Sequence, residues 1–288
     1  MGRSKDGSQA VVVTGASTGI GRATAQRLDS EGFRVFAGVR KLSDGQALRE
    51  SASERLAPLL LDVTDADGIA AAAEQVEAEV GDGGLAGLVN NAGVAVGGVL
   101  EFLDIDQLRR QLEVNLIGAV AVTKAFLPAI RRGKGRIVNI SSDSGVLSTP
   151  FMAPYCASKF GLEAVSDALR RELRPWGIPV VIVEPGAIAT PIWEKARPHT
   201  QELRAALPDA ARALYGDMFD KVESFVEKQA AGAIPADAVA EAVHRGLTVP
   251  RPRLRYAVGN DAKLTRWMTR LLPARAVDAV VAGMIRRA

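Results

Sequence analysis

A chain of 288 residues with 48% hydrophobic and 24% charged side chains is sized for one α/β unit with a substantial core. Its single cysteine, Cys156, excludes an intrachain disulfide framework and a cysteine-based metal cluster, and His199 and His244 lack metal-ligand neighbours, which argues against zinc. The net charge of +3 divides unevenly: Arg251 to Ala288 carries +7 and the rest −4, a basic tail that reads first as a solvated face and not as a nucleic-acid site.

Residues 1–9 are polar and predict a flexible start without the apolar core of a signal peptide. No uninterrupted apolar stretch is long enough to span a bilayer, so the expectation is a cytoplasmic protein without an integral membrane span. Short apolar runs then alternate with helical patterns: Ala10–Thr14, Arg34–Val39, Ala57–Leu61, Ala86–Asn91, Arg136–Ser141, Pro179–Glu184 and, late in the chain, Arg253–Val258. The early runs are continuously apolar, as strands covered on both faces must be. Strand–helix alternation at these spacings predicts right-handed crossovers and a single Rossmann-type domain, a doubly wound, mostly parallel seven-stranded sheet over 1–288. Residues 190–232 break the rhythm as a helical insertion. Within it Tyr215, Met218, Phe219, Val222, Phe225 and Val226 share one helix face, read here as packing rather than ligand contact. Residues 260–288 form a helical extension.

The first strand is followed by TGASTGIG, whose candidate phosphate contacts are Gly15, Ser17, Thr18, Gly19, Ile20 and Gly21. Glycines permit a sharp turn and close approach of a pyrophosphate, and the next helix offers free amides at a positive dipole end. The second strand ends in Val39, which has no carboxylate for a ribose 2′-hydroxyl, and continues into Arg40 and Lys41. A planar cation there suits a 2′-phosphate, so NADP (NADPH) is the expected cofactor and NAD the alternative; the bland reading of Arg40 is a solvated loop cation. Asp62 and Val63 stand where adenine would lie, although Asp62 reads equally as a turn or helix cap.

Reducing a carbonyl by hydride leaves an alkoxide that needs a proton and an oxyanion partner. Tyr155 and Lys159, four residues apart, share one helix face, and the ammonium is expected to lower the phenol's pKa. Ser142 closes the fifth strand at the same sheet edge and can polarise the substrate oxygen. Asn115 is placed to hold a water linking Lys159 to solvent.

With these residues in order, the chain resembles the short-chain dehydrogenase/reductases over nearly its whole length. TGASTGIG, Asp62-Val63, NNAG (Asn90–Gly93), Asn115, Ser142, YCASK (Tyr155–Lys159) and PGAIAT (Pro185–Thr190) carry the resemblance. It implies a catalytic tetrad of Asn115, Ser142, Tyr155 and Lys159. It also implies cofactor contacts from Asn91, Ala92, Gly93, Tyr155, Lys159, Pro185, Gly186, Ile188 and Thr190. The second half looks like the retinol and hydroxysteroid dehydrogenase branch, which also holds 3-hydroxybutyrate dehydrogenases. That implies an NADP(H)-dependent oxidoreductase for an apolar alcohol and its ketone or aldehyde. The vertebrate retinoid members carry an N-terminal anchor, and none is expected here.

Substrate-facing candidates are Ser142, Val94, Val96, Phe151, Met152, Tyr155, Ile192 and Trp193, mostly apolar. Cys156, His199 and His244 read as packing or surface residues. The tail from Trp267 to Ile285 is expected to pack over the pocket or on a second subunit, with peripheral contact to a membrane as the alternative. The resemblance implies a homodimer or homotetramer through helices spanning Asp104–Ile130 and Pro154–Arg174. The competing function is a non-catalytic NADP-binding sensor or scaffold on the same fold.

Overall fold

Alternation along the first strand shows how the sheet is built. Ala10 and Val12 face one apolar layer, Val11 and Val13 the other, and all four are fully buried. In the computed structural model, which describes residues 9–191 and 208–286, nine strands follow the chain. They are β1 (Ala10–Val13), β2 (Arg34–Val39), β3 (Leu56–Leu60), β4 (Gly87–Asn90), β5 (Arg136–Ile140), β6 (Val180–Pro185), β7 (Ile188–Ala189), β8 (Ile234–Pro235) and β9 (Arg255–Val258). The seven predicted strands are all present, with ends displaced by a residue or two. They form one parallel sheet in the order β3-β2-β1-β4-β5-β6-β9, and β7 and β8 form a separate parallel pair.

The first helices are α1 (Gly19–Ser30), α2 (Leu42–Arg49), α3 (Ala66–Val80), α4 (Ile105–Leu112), α5 (Gly118–Gly133) and α6 (Ala153–Glu172). After them come α7 (Asp209–Ala231), α8 (Asp237–Thr248), α9 (Asn260–Leu271) and α10 (Ala274–Arg286). One core layer joins β1 to α1 and α8 through Ala25, Leu28, Val239, Val243 and Leu247. The opposite layer joins it to α3 and α5 through Val76, Val122, Phe126 and Ile130. Arg136 is buried yet satisfied: its guanidinium donates to the carbonyls of Gly246 and Val249 at 2.9 and 2.7 Å, capping the end of α8.

Strand order reverses between β1 and β4, and such a switch point opens a crevice at the strands' carboxyl ends. Thr14 stitches the two ends together. Its hydroxyl accepts the amides of Asn91 and Ala92 at 2.9 and 3.0 Å, and the Asn91 side chain donates to the carbonyls of Thr14 and Gly15.

One expectation needs correction and another a qualification. The continuous helical run Ile105–Gly133 is long and apolar enough to cross a membrane by length and composition, although Lys124 interrupts it. Its second half contributes Val122, Phe126 and Ile130 to the core, so it is a core helix here. The basic tail is also only partly a solvated face. Arg255 pairs with Glu163 at 3.0 Å, Asp167 at 3.1 Å and Glu184 at 3.4 Å, and Arg266 also pairs with Glu184. Burial raises the pKa of Glu184, Glu163 adds to the rise, and the two arginines pull it back.

Candidate active site

A cleft of about 1100 Å³ opens over the carboxyl ends of the strands. At one end it is floored by Gly15, Ser17, Thr18, Gly19, Ile20 and Gly21. Gly15 has φ +64°, and a Cβ there would lie 2.8 Å from the Ala92 Cα; one on Gly21 would lie 2.2 Å from the Gly15 carbonyl oxygen. Only glycine lets this loop fold so tightly against the Asn91–Gly93 strand end. No side chain caps α1 at Thr18, so its first-turn amides remain free to bind an anion from the cleft.

Arg40, Asp62 and Val63 line the same end. Asp62 is an Asx turn: one carboxylate oxygen accepts the Thr64 amide at 3.0 Å and hydroxyl at 2.7 Å. Burial pushes its pKa up, but these bonds and the nearby Arg40 charge leave it below the ordinary value. The turn reading is thus realised, with the carboxylate still on the cleft wall. Lys41, also expected at the cofactor, is exposed at the start of α2 and is not among the residues that line the cleft.

Farther along, Asn115, Ser142, Tyr155 and Lys159 line one wall together with Asn91, Ala92 and Gly93. Pro154 in the first turn of α6 fixes the start of that helix, which puts Tyr155 at its mouth and Lys159 one turn deeper. The Lys159 ammonium lies 5.7 Å from the centre of the Tyr155 ring and donates to the Ile140 carbonyl at 2.8 Å. Ser142 caps a short turn after β5, its hydroxyl accepting the Ser144 amide at 3.1 Å.

Asn115 occupies a turn of π-helix, Glu113–Ile117, between α4 and α5. Such bulges recur at functional sites, and this one turns the buried amide inward. Its oxygen accepts the Val94 amide at 2.8 Å, and its nitrogen donates to the Val94 carbonyl at 3.0 Å and to Ser158 at 3.2 Å. The residue clamps the loop after NNAG, a role the sequence did not suggest.

Pro185, Gly186, Ile188 and Thr190 continue the wall. Asp261 holds this segment. Its carboxylate accepts the Ala187 amide at 2.6 Å and fills the space where a Cβ on Gly186 would sit, 2.2 Å away.

The far end is mostly apolar. Val94, Phe151 and Met152 line it, and α7 adds Phe219, Val222, Phe225 and Val226 together with Glu223, Glu227 and Gln229. That face of α7 therefore borders the cleft and does more than pack, correcting the sequence expectation; the helix lies across the mouth. Tyr215 and Met218 are not in the lining; Tyr215 instead bonds Glu101 at 2.7 Å and Met218 is exposed. Val96 is a second correction: it is buried beside the cleft, its amide held by Gln111 at 2.7 Å. Ile192, Trp193 and His199 lie outside the described residues. The tail supplies Leu264, Met268, Val281, Met284 and Ile285, so it does pack over the pocket. Phe151 sits at φ +64°, strained for an aromatic residue, with its ring 5.7 Å from that of Phe219.

The short chain dehydrogenase family model matches residues 9–201. This chain is a short-chain dehydrogenase/reductase. It is 41% identical over 283 residues to mouse retinol dehydrogenase 5, covering 96% of this chain and 89% of that one. It is 38% identical over 276 residues to bovine 17-beta-hydroxysteroid dehydrogenase type 6, covering 94% and 87%. A short-chain dehydrogenase from Burkholderia cenocepacia, solved with NADP, superposes with a TM-score of 0.72 at 26% identity, covering 95% of this chain and 97% of that one. The chain thus lies in the retinol and hydroxysteroid dehydrogenase branch and is an oxidoreductase acting on CH–OH groups.

In this dehydrogenase Tyr155 and Lys159 are tuned otherwise than the sequence suggested. Burial pushes the Tyr155 phenol up to about 12; hydrogen bonding with Ser142 opposes this, and the Asp143 charge reinforces it. Burial also pulls Lys159 down to about 8, with Glu163 resisting. The expectation of a phenol made acidic by Lys159 is corrected: desolvation dominates both groups, and the ammonium donates to a backbone carbonyl. Cys156 is buried and His244 packs its ring edge-on against Phe33 at 6.2 Å.

Proposed function

We propose that this dehydrogenase interconverts an apolar alcohol and its ketone or aldehyde, using NADP(H). The observation that carries the reading is that the Ser142 and Tyr155 hydroxyls and the Lys159 ammonium share one wall of a cleft whose far end is mostly apolar. A bound nicotinamide dinucleotide supplies or accepts the hydride. Its phosphates fit the free amides at the start of α1, and Arg40, beside the apolar Val39, fits a 2′-phosphate. NAD at lower affinity is the alternative.

Tyr155 gives its phenolic proton to the carbonyl oxygen in reduction and takes it back in oxidation, while Ser142 holds that oxygen. Lys159 is placed to hydrogen-bond the nicotinamide ribose, and Asn115 fixes the loop after Asn91, Ala92 and Gly93. This set supplies both the acid and the oxyanion partner, so the step needs no metal. The apolar mouth from Phe151 through α7 to α10 favours steroid-, retinoid- or fatty-like substrates over small polar ones. An NADP sensor has no use for a proton donor so placed, which ranks that alternative second.

Exposed Ile105, Ile117 and Phe160, on the helices expected to pair, support a homo-oligomer. Trp267 and Leu271, exposed on α9 beside Arg270, support peripheral contact with an acidic membrane as a second mode. Co-sedimentation with anionic vesicles separates the two.

Purified protein with NADPH and a panel of steroid, retinoid, aliphatic and aromatic carbonyls tests the central reading. Loss of NADPH absorbance on an apolar member is the expected result. Tight NADPH binding with no turnover on any member would reverse the ranking.

A further inference from the structure

We propose that Asp143 is a positioning residue: through Ser142 it determines whether the serine hydrogen points at the substrate oxygen or away from it. The inference rests on the redox reading above and concerns a side chain that reading does not use.

A hydroxyl has one hydrogen to give. Ser142 gives its hydrogen to an Asp143 carboxylate oxygen at 2.9 Å, and the Ser144 amide occupies one of its acceptor positions at 3.1 Å. An ionised carboxylate only accepts, so with Asp143 charged the serine faces the cleft as an acceptor, suited to the Tyr155 phenol but not to a developing alkoxide. With Asp143 protonated, the acid donates to Ser142, and the serine hydrogen turns toward the cleft. Both residues line that cleft.

The surroundings raise the Asp143 carboxyl above the ordinary carboxylate range. From its own turn Asp143 meets Ser142 and Ser144; from α6 it faces Tyr155 and Cys156; from α9 comes the like charge of Asp261. Lys159, the nearest cation on α6, donates to Ile140 instead. Burial raises the Asp143 carboxyl, Ser142 opposes, Asp261 adds to the rise, and the Ser144 amide and hydroxyl oppose it. In return the Asp143 charge helps hold the Tyr155 phenol high. One proton on Asp143 therefore frees the oxyanion donor and makes the acid stronger together.

Asp143→Asn tests this, because the amide keeps the shape, carries no charge at any pH and has an N–H that can donate to Ser142 without titrating. The first readout is phenolate absorbance in cofactor-free protein, with Tyr155→Phe identifying the signal against Tyr215 and Tyr256. The Tyr155 titration should move down by ~0.5–1 pH unit in Asp143→Asn and stay near wild type in Asp143→Glu. The second readout is the pH profile of carbonyl reduction. Wild type and Asp143→Glu should lose kcat/KM as pH rises through the acid's titration, and Asp143→Asn should lack that limb. Unchanged phenol titration in Asp143→Asn overturns the linkage. So does a uniform fall in activity at all pH with the limb intact, the mark of a merely structural role. The phenol shift needs neither substrate nor cofactor, so it stands or falls apart from the redox reading.

Discussion

The two ends of the cleft are built by different means. At the glycine loop and the Ser142–Tyr155 wall, short sequence motifs are locked by backbone hydrogen bonds: Thr14 to Asn91 and Ala92, Asn115 to Val94, Lys159 to Ile140. At the mouth, Phe151, Phe219, Val222, Met268 and Ile285 come from segments far apart in the chain and meet mainly through apolar contact. Directional bonds fix atoms to within the tolerance of chemistry, whereas apolar packing fixes volume and polarity. On the function proposed above, the wall specifies the reaction and the mouth selects what reacts.

This contrast can be broken at several points. The largest effect is expected from Tyr155→Phe, which should lower kcat by roughly 10³-fold while leaving NADPH affinity nearly unchanged by fluorescence titration. A wall residue whose loss changed only KM would erase the distinction. Next, Arg40→Ala should weaken NADPH by about 10–100-fold and NADH little. Equal loss for both would refute contact with the 2′-phosphate. At the mouth, Phe219→Ala should destabilise the fold by about 3 kcal/mol in urea unfolding and raise KM for bulky substrates more than it lowers kcat.

A smaller effect concerns pH. The folded pKa of Lys159, about 8, lies below the ordinary 10.5, so the folded state binds fewer protons between those values. Stability should rise as pH increases from about 8 toward 10.5 and be lost again as pH falls through about 8. Lys159→Met should flatten that slope in denaturant titrations. Smallest of all, Tyr215→Phe removes an exposed bond to Glu101 and should shift stability within about 0.5 kcal/mol.

The same contrast explains what the sequence revealed. Strands buried on both faces were legible as continuous apolar runs, and the glycine loop, Ser142, Tyr155 and Lys159 by motif and spacing. Asp261, Thr14 and the π-turn around Asn115 were not, because their roles depend on side-chain-to-backbone bonds across 74 or more residues for the first two and on a local change of helical pitch for the third. The face of α7 was legible as apolar, yet periodicity cannot distinguish a core from a cleft. The acidity of Tyr155 was misjudged for a related reason: four-residue spacing gives proximity to Lys159, but desolvation is set by everything packed around both.

Transfer of deuterium from reduced cofactor labelled at the transferring position, using an apolar carbonyl from the panel, tests the central claim most directly. Label should appear on the carbinol carbon of the product with wild-type protein and be almost absent with Tyr155→Phe at saturating cofactor. Product formed without label, or equal labelling by the two proteins, would contradict hydride transfer assisted by Tyr155.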